Sequence, residues 1–225
     1  HVFPRYDLLK QEPDIEFIGL YEPDAELAEE LSKRFGIPVF ATAKELLDQN
    51  SVQIVVIDGW DTANPDYAIL ALERNLAVLV EKPGAPNLTE MKRLTSVASK
   101  SKGIFQIGYM MRYSPAVERI KEILEAEVLG EITLARFHAA SPVGCAAEVW
   151  QSVPGDLGGV VYTDGCHMVA TIQQLFGRPD SVKGSLLKLP KGPQVVSNYF
   201  KKDTLSDLGE KTLMPLGGLM YEDGG

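Results

Sequence analysis

Short apolar runs separated by amphipathic segments constrain the fold of this chain more than any other feature of its sequence. The clearest runs are residues 52–57, 77–80 and 104–108, and residues 64–74 and 87–101 between them have helical spacing. Nearly continuous apolar strands are typical of a parallel sheet that helices cover on both faces, because half-exposed sheets alternate apolar and polar residues. The first half is therefore predicted to be an α/β domain with a parallel sheet.

Local signals extend this pattern toward the start of the chain. Residues 15–21 and 39–40 are short apolar runs of strand type, and residues 24–35 have the spacing of an amphipathic helix.

Asn64, followed by Pro65, has the arrangement of a helix cap with proline at the first helical position. We therefore expect Asn64 to cap the helix that follows.

The pattern changes after residue 108. Residues 115–125 are spaced as an amphipathic helix, and residues 131–138 alternate as a strand. Three later runs are also strand-like, at residues 181–187, 194–200 and 219–222. The second half is therefore predicted to be an α+β domain, with the two domains spanning residues 1–107 and 108–225.

Charge and cysteine content limit the expected function. The 22 basic and 31 acidic residues give a net charge of −9, which disfavours a nucleic-acid surface and leaves a small molecule as the expected partner. The two cysteines lack metal-ligand or disulfide-framework spacing, so no metal is expected. No apolar run approaches the roughly 20 residues of a membrane helix, and no leader pattern opens the chain, so we expect a cytoplasmic location.

Residues that follow the predicted strands are candidate cofactor ligands, because open parallel sheets bind ligands beyond the carboxyl ends of their strands. Glu22 could accept hydrogen bonds from an adenosine ribose and repel a 2′-phosphate, which favours NAD over NADP. The alternative is an acid that stabilises the dipole of the next helix. Gly59 and Trp60 could meet a nicotinamide ribose or ring, although an ordinary loop has the same pattern.

Two further positions carry groups suited to catalysis. Lys82, held between a strand end and Pro83, could place an ammonium beside a reacting hydroxyl or carbonyl and stabilise negative charge there. A solvated turn is the alternative. Asp164 and His167 would share one face of a helix, where the carboxylate can raise the basicity of an imidazole that moves protons. A structural histidine near a helix cap is the alternative.

Three linked motifs resemble those of the Gfo/Idh/MocA family of oxidoreductases. They are EKP at 81–83, GYMMRYSP at 108–115 and GGVVYTDGCH at 158–167, in matching order and separation across nearly the whole chain. The resemblance implies an N-terminal Rossmann domain and a C-terminal domain with a large, mostly antiparallel open sheet, assembled into homodimers or homotetramers. The glycine fingerprint of the family would lie immediately before His1, so we expect the Rossmann domain to be incomplete at its N-terminus and the second domain to be truncated.

The resemblance also implies roles for individual residues. Lys82 would be the catalytic lysine, and Asp164 and His167 the acid/base pair that faces the substrate. The residues expected to bind NAD, with NADP less favoured, are Glu22, Gly59, Trp60, Asn64, Glu81 and Arg112. The implied activity is an NAD(H)-dependent dehydrogenase or reductase acting on a sugar- or polyol-like substrate. The alternatives are a non-catalytic dinucleotide sensor of the same fold, and a lyase or glycosidase that uses NAD transiently.

This chain departs from the family pattern at two places that bear on the substrate. The family commonly has a Thr-Pro-Asn type loop after the strand at 52–57, where this chain has Gly59-Trp60-Asp61, and Asn64 stands where the family usually has a histidine. Ala170 stands where an acid often follows the histidine by three positions. These departures leave the identity of the substrate open.

Overall fold

The structure, a computed structural model, describes residues 2–138 and 165–184, and the chain divides after Gly108 into two compact units. The first unit contains, in chain order, α1 (Val2–Leu9), α2 (Ala25–Phe35), α3 (Ala43–Leu47), β1 (Ile54–Ile57), α4 (Asn64–Leu72), β2 (Ala77–Val80), α5 (Leu88–Ala98) and β3 (Phe105–Ile107). The described part of the second unit contains a 3-10 helix (Met110–Tyr113), α6 (Pro115–Glu125) and α7 (Gly165–Phe176).

The three strands form a parallel sheet in the order β1-β2-β3. Ile57 pairs with Val80, and Val80 pairs with Ile107, so all three strands end at the same level. Helices α4 and α5 make the two connections between strands, as the alternation of apolar and amphipathic segments predicts. The carboxyl ends of the strands therefore meet at one edge of the sheet, which we call the strand-end edge.

The main core lies between this sheet and helices α4 and α5. Leu72, Val80 and Leu94 have no exposed surface, and burying a side chain of this size stabilises the fold by roughly 2 kcal/mol. Ala68 and Ala71 are equally buried, and their small side chains let α4 pack closely on the strands. Packing thus fixes α4, and with it the loop that enters α4 from β1.

Helix α1 joins a second apolar cluster. The ring of Tyr6 stacks on Phe35 with the ring centroids 3.9 Å apart, and the Tyr6 hydroxyl donates a hydrogen bond of 2.6 Å to the Phe35 carbonyl oxygen. Leu31 of α2 completes the buried part of this cluster. These contacts hold α1 against α2, although the sequence analysis did not anticipate a helix at residues 2–9.

Helix α2 shows how local sequence sets the ends of an element. The Asp24 side chain accepts hydrogen bonds of 3.0 Å from the amides of Glu26 and Leu27, so it satisfies donors that the first turn leaves open. At the other end Gly36 has φ +69, a left-handed conformation that glycine adopts without strain. The predicted helix at 24–35 is confirmed.

Three expectations about the first unit need correction. The runs at 15–21 and 39–40 form only one parallel bridge, Leu20 to Val39, because just two backbone hydrogen bonds link them. Asn64 does not cap α4. It is already the first residue of the helix, Ala63 occupies the capping position, and the Asn64 side chain is buried.

The second unit agrees with the sequence in part. Helix α6 confirms the prediction for residues 115–125. Residues 131–138 are not a strand: Leu134 is 78% exposed, and no strand within residues 109–138 or 165–184 pairs with them. Residues 181–184 are also without strand structure, and the other predicted strands lie outside the described residues. None of the helices in the described residues has both the length and the hydrophobicity to cross a bilayer.

Strand β1 lies at one side of this three-stranded sheet. All four of its residues are apolar, yet Ile54 is 65% and Val56 40% exposed. Only the last residue, Ile57, is fully buried. The strand thus combines a core-facing end with an exposed apolar start.

Candidate active site

The predicted strand-end residues of the first unit lie together at the strand-end edge. Asp58 follows β1, Glu81 follows β2 and Gly108 follows β3. The Glu81 amide donates to the Ile57 carbonyl oxygen and the Gly108 amide to Val80, both at 2.8 Å. These bonds continue the strand pairing past the ends of the strands, so the three loops start from fixed positions.

Arg5 reaches this edge from helix α1. Its Nη1 lies 2.7 Å from Asp58 Oδ2, and its Nη2 lies 2.5 Å from Glu81 Oε2. Burial lowers the pKa of the Arg5 guanidinium, but the hydrogen bonds and charges of Glu81 and Asp58 outweigh it, so the pKa lies above its ordinary value. Local sequence gives no sign of a role for Arg5, because its partners are 53 and 76 positions away along the chain.

Asp61 is a second acid that the sequence analysis did not select. Burial raises the pKa of Asp61 to about 6, the Lys82 ammonium opposes this rise, and the Glu81 carboxylate adds to it. The one available signal was its place four residues after a predicted strand. Asp61 therefore takes up or loses a proton around pH 6, within the electrostatic reach of Lys82.

Packing holds the loop that carries Lys82. Pro83 is fully buried, and the Lys82–Pro83 peptide bond is cis. Gly84 has φ +90, and a Cβ there would lie 3.1 Å from Ile107 Cδ1, so only glycine suits this position. Lys82 itself is partly exposed. The backbone of Lys82 is thus held from its C-terminal side while its side chain keeps access to solvent.

Asn64 lies behind the loop that contains Gly59. A Cβ on Gly59 would lie 3.0 Å from Asn64 Oδ1, so the absence of a side chain lets the loop approach the amide closely. The Asn64 side chain is fully buried, and neither Oδ1 nor Nδ2 has a hydrogen-bond partner among the described residues. A buried polar group left in this state costs roughly 1–3 kcal/mol, so the amide fits a site completed by water or by a polar ligand such as a nicotinamide.

Glu22 lies beside two tyrosines, at the place where an adenosine is expected. Its Oε1 accepts a hydrogen bond of 3.0 Å from the Asp24 amide, which agrees with the alternative of an acid at a helix start. The rings of Tyr21 and Tyr67 meet edge to face with centroids 5.8 Å apart. Burial, a hydrogen bond with Tyr21 and the nearby Glu22 charge raise the pKa of Tyr67 above its ordinary value. Tyr67 could have been found as a residue of the first turn of α4.

Three other residues predicted to bind the cofactor are exposed in the structure. Trp60 and Gly59 are exposed in the loop after β1. Arg112 has an exposed side chain in the 3-10 helix, and its carbonyl oxygen accepts a hydrogen bond of 3.0 Å from Gln174 Nε2. The cofactor roles of these residues stay predictions.

His167 is buried in helix α7. The Tyr109 ring meets the imidazole edge to face at 6.4 Å, and Thr171 Oγ1 donates a hydrogen bond of 2.9 Å to the His167 carbonyl oxygen. Asp164 lies outside the described residues. Lys82 belongs to the first unit and His167 to the second, so their shared role with Asp164 stays a prediction.

The sequence is similar to those of known oxidoreductases. The uncharacterized oxidoreductase YhhX of Escherichia coli K12 is 37% identical over 141 residues, which are 61% of this chain and 39% of YhhX. The trans-1,2-dihydrobenzene-1,2-diol dehydrogenase of Xenopus laevis is 24% identical over 173 residues, 75% of this chain and 52% of that enzyme. This chain thus spans about half, or less, of the length of these relatives.

A solved structure shares the fold. The crystal structure of myo-inositol 2-dehydrogenase from Lactobacillus plantarum aligns with a TM-score of 0.67 over 77% of this chain and 52% of that chain. The two sequences are 21% identical in this alignment, so the likeness concerns the fold alone.

Two family models match the chain in succession. Residues 5–109 match the model described as an oxidoreductase family with an NAD-binding Rossmann fold, and residues 117–203 match the GFO/IDH/MocA C-terminal domain. Together they account for most of the sequence, in the order that the three motifs predict. With its Rossmann-like NAD-binding domain followed by this second domain, the chain belongs to the GFO/IDH/MocA family of oxidoreductases.

Proposed function

We propose that the protein is an NAD(H)-dependent oxidoreductase that transfers a hydride to or from a sugar- or polyol-like substrate. The observation that carries this proposal is the gathering of charged groups at the strand-end edge of an NAD-binding family member. Arg5 forms ion pairs with both Asp58 and Glu81 there. The positive charge of Lys82 opposes the rise in the pKa of Asp61. Such an edge of an open parallel sheet is where ligands bind.

The residues present fit a bound dinucleotide. A nicotinamide cofactor supplies the hydride chemistry when it is bound. Glu22 would hold the adenosine ribose, and its carboxylate beside the Tyr67 hydroxyl disfavours a 2′-phosphate, which supports NAD over NADP. Asn64 would complete its hydrogen bonds on the nicotinamide side, where Gly59 leaves room for close approach. Trp60, Glu81 and Arg112 are the other residues that we assign to cofactor binding.

Two groups of this chain would act on the substrate. The Lys82 ammonium would stabilise negative charge that develops on the reacting oxygen, because a fixed cation in a partly buried site is already oriented before reaction. His167, supported by Asp164, would exchange a proton with the same oxygen, since imidazole changes charge near neutral pH. The buried position of His167 and the packing behind Lys82 support fixed roles for both.

The substrate class rests on the relatives. The names of two of them specify a diol and an inositol, both of which carry hydroxyl groups on ring carbons. We therefore assign a hydroxylated ring compound, a sugar or a polyol, as the substrate. By the same family resemblance we expect a homodimer or homotetramer.

The test is a titration with NADH followed by turnover assays, done on the full-length protein. We expect NADH binding and NADH production from NAD⁺ with at least one member of a panel of sugars and inositols. Binding without turnover of any candidate would favour a sensor, and a product of elimination without net NADH would favour a lyase or glycosidase. Failure to bind either dinucleotide would refute the proposal.

Replacement of Lys82 tests its role directly. Lys82→Ala should lower kcat by about 10²–10³-fold, because single donors to a developing oxyanion are worth roughly 3–4 kcal/mol. Lys92→Ala is the matched control, since Lys92 is an exposed lysine on α5. Equal turnover of the Lys82→Ala variant and the parent would remove Lys82 from the reaction centre.

A further inference from the structure

Arg5 makes an ion-pair bridge between adjacent strand ends of the first unit. Its two terminal nitrogens engage two different carboxylates, one after β1 and one after β2. The side chains are only 21% exposed for Arg5, 12% for Asp58 and 13% for Glu81. Charge-assisted hydrogen bonds in such a shielded place are short and directional. Arg5 therefore fixes the distance between the two loops.

The Glu81 carboxylate also lies close to the backbone at Gly108. A Cβ on Gly108 would lie 3.0 Å from Glu81 Oε2, the same oxygen that pairs with Arg5 Nη2. Glu81 Oε2 is therefore close both to the guanidinium and to the backbone that follows β3. A residue confined in this way has little freedom to turn, and it directly precedes Lys82.

We propose that Arg5 is a positioning residue, which orients Lys82 through the Glu81 carboxylate and keeps the Asp58 loop at a fixed distance from it. This inference rests on the proposed function of Lys82. Both terminal nitrogens of Arg5 are engaged with carboxylates, so its geometry favours this indirect role over direct contact with a ligand. Lysine cannot replace it fully, because an ammonium lacks the planar fork that spans two carboxylates.

Arg93 provides a matched control within the same chain. It also bridges two carboxylates, with its Nη2 at 2.6 Å from both Asp66 and Glu90. Its side chain is 43% exposed and joins α4 to α5 on the surface. Arg93→Lys thus removes the same chemical fork without touching the strand-end edge.

The experiment compares Arg5→Lys and Arg93→Lys in the full-length protein by steady-state kinetics and NADH titration. We expect Arg5→Lys to lower kcat between about ten- and a hundredfold, since small misplacements of a catalytic group have effects of this size. KM and the NADH dissociation constant should rise by a smaller factor than kcat falls, because Glu22 and Asn64 lie outside the Arg5 bridge and would still hold the cofactor. Arg93→Lys should match the parent. Unchanged kcat in Arg5→Lys, or a loss of NADH affinity equal to the loss of kcat, would overturn the proposal.

Amide hydrogen exchange gives a readout that does not depend on activity. The amides of Glu81 and Gly108 are hydrogen-bonded to the ends of β1 and β2, so loosening of the strand-end edge exposes them. Arg5→Lys should speed exchange at both amides while those of α5 keep the parent rate. If no substrate is turned over even by the parent, the proposed function fails, and exchange still decides on Arg5: faster exchange supports positioning and unchanged exchange overturns it.

Discussion

Asp61→Asn should stabilise the protein above neutral pH. The pKa of Asp61 rises from its ordinary 3.8 to about 6 in the folded chain, chiefly because of burial. At about 1.4 kcal/mol per pH unit, this rise corresponds to an upper limit of about 3 kcal/mol. Because the side chain is only partly buried, solvent screening reduces the figure, and we expect roughly 1–2 kcal/mol.

The direction with pH follows from proton binding. Between pH 3.8 and about 6 the folded protein holds the Asp61 proton more tightly than the unfolded chain does. The contribution of Asp61 to the free energy of unfolding therefore falls as pH rises through this interval, and above it stays at its lowest value. Asparagine cannot ionise, so Asp61→Asn gains stability relative to the parent over the same interval.

Urea unfolding of the parent and Asp61→Asn at pH 4.5 and pH 8 measures this effect. The stability of the variant relative to the parent should increase by about 1 kcal/mol between the two pH values. Asp14→Asn, which replaces an exposed carboxylate, should show no such increase. If Asp61→Asn is less stable than the parent at pH 8, attraction to Lys82 outweighs burial and the reasoning is wrong.

Two other substitutions test the packing and the cofactor assignment. Gly103→Ala should lower the free energy of unfolding by about 2–3 kcal/mol, because its Cβ would lie 2.0 Å from the Leu76 carbonyl oxygen. Urea unfolding measures this, and Gly184→Ala, with no described atom within 4 Å of its added Cβ, is the control; equal effects would contradict the packing argument. Glu22→Ala should shift the ratio of NAD⁺ to NADP⁺ dissociation constants toward NADP⁺ by about tenfold, or ~1.4 kcal/mol. Fluorescence titration reads this ratio, and an unchanged ratio would remove Glu22 from the ribose site.

The parallel sheet and its functional edge could be predicted because both depend on local pattern. The apolar runs at 52–57, 77–80 and 104–108 have strand length and lie between helical segments, so their parallel direction follows from short-range sequence. Once the strands are parallel, the residues after them must share one edge. For this reason the sequence predicts that Glu81 and Lys82 lie at the same edge of the sheet as the loop of Gly59.

Contacts between distant parts of the chain could not be predicted in this way. The Arg5 bridge depends on the packing of α1, and nothing in the sequence near Arg5 indicates partners 53 and 76 positions away. Asn64 failed as a cap because the close packing of α4 buries it, and local cap statistics do not include that packing. The alternation of apolar and polar residues at 131–138 is likewise compatible with a strand. A strand forms only where another strand pairs with it, and local sequence does not reveal that pairing.

The exposed start of β1 has a consequence for handling the protein in solution. Among the described residues Ile54 is 65% and Val56 40% exposed, and exposed apolar side chains of this kind favour association between molecules. At neutral pH the net charge of −9 keeps molecules apart by repulsion. That protection disappears near the sequence pI of about 4.9. Acidic samples, including the pH 4.5 arm of the Asp61 measurement, should therefore be kept dilute.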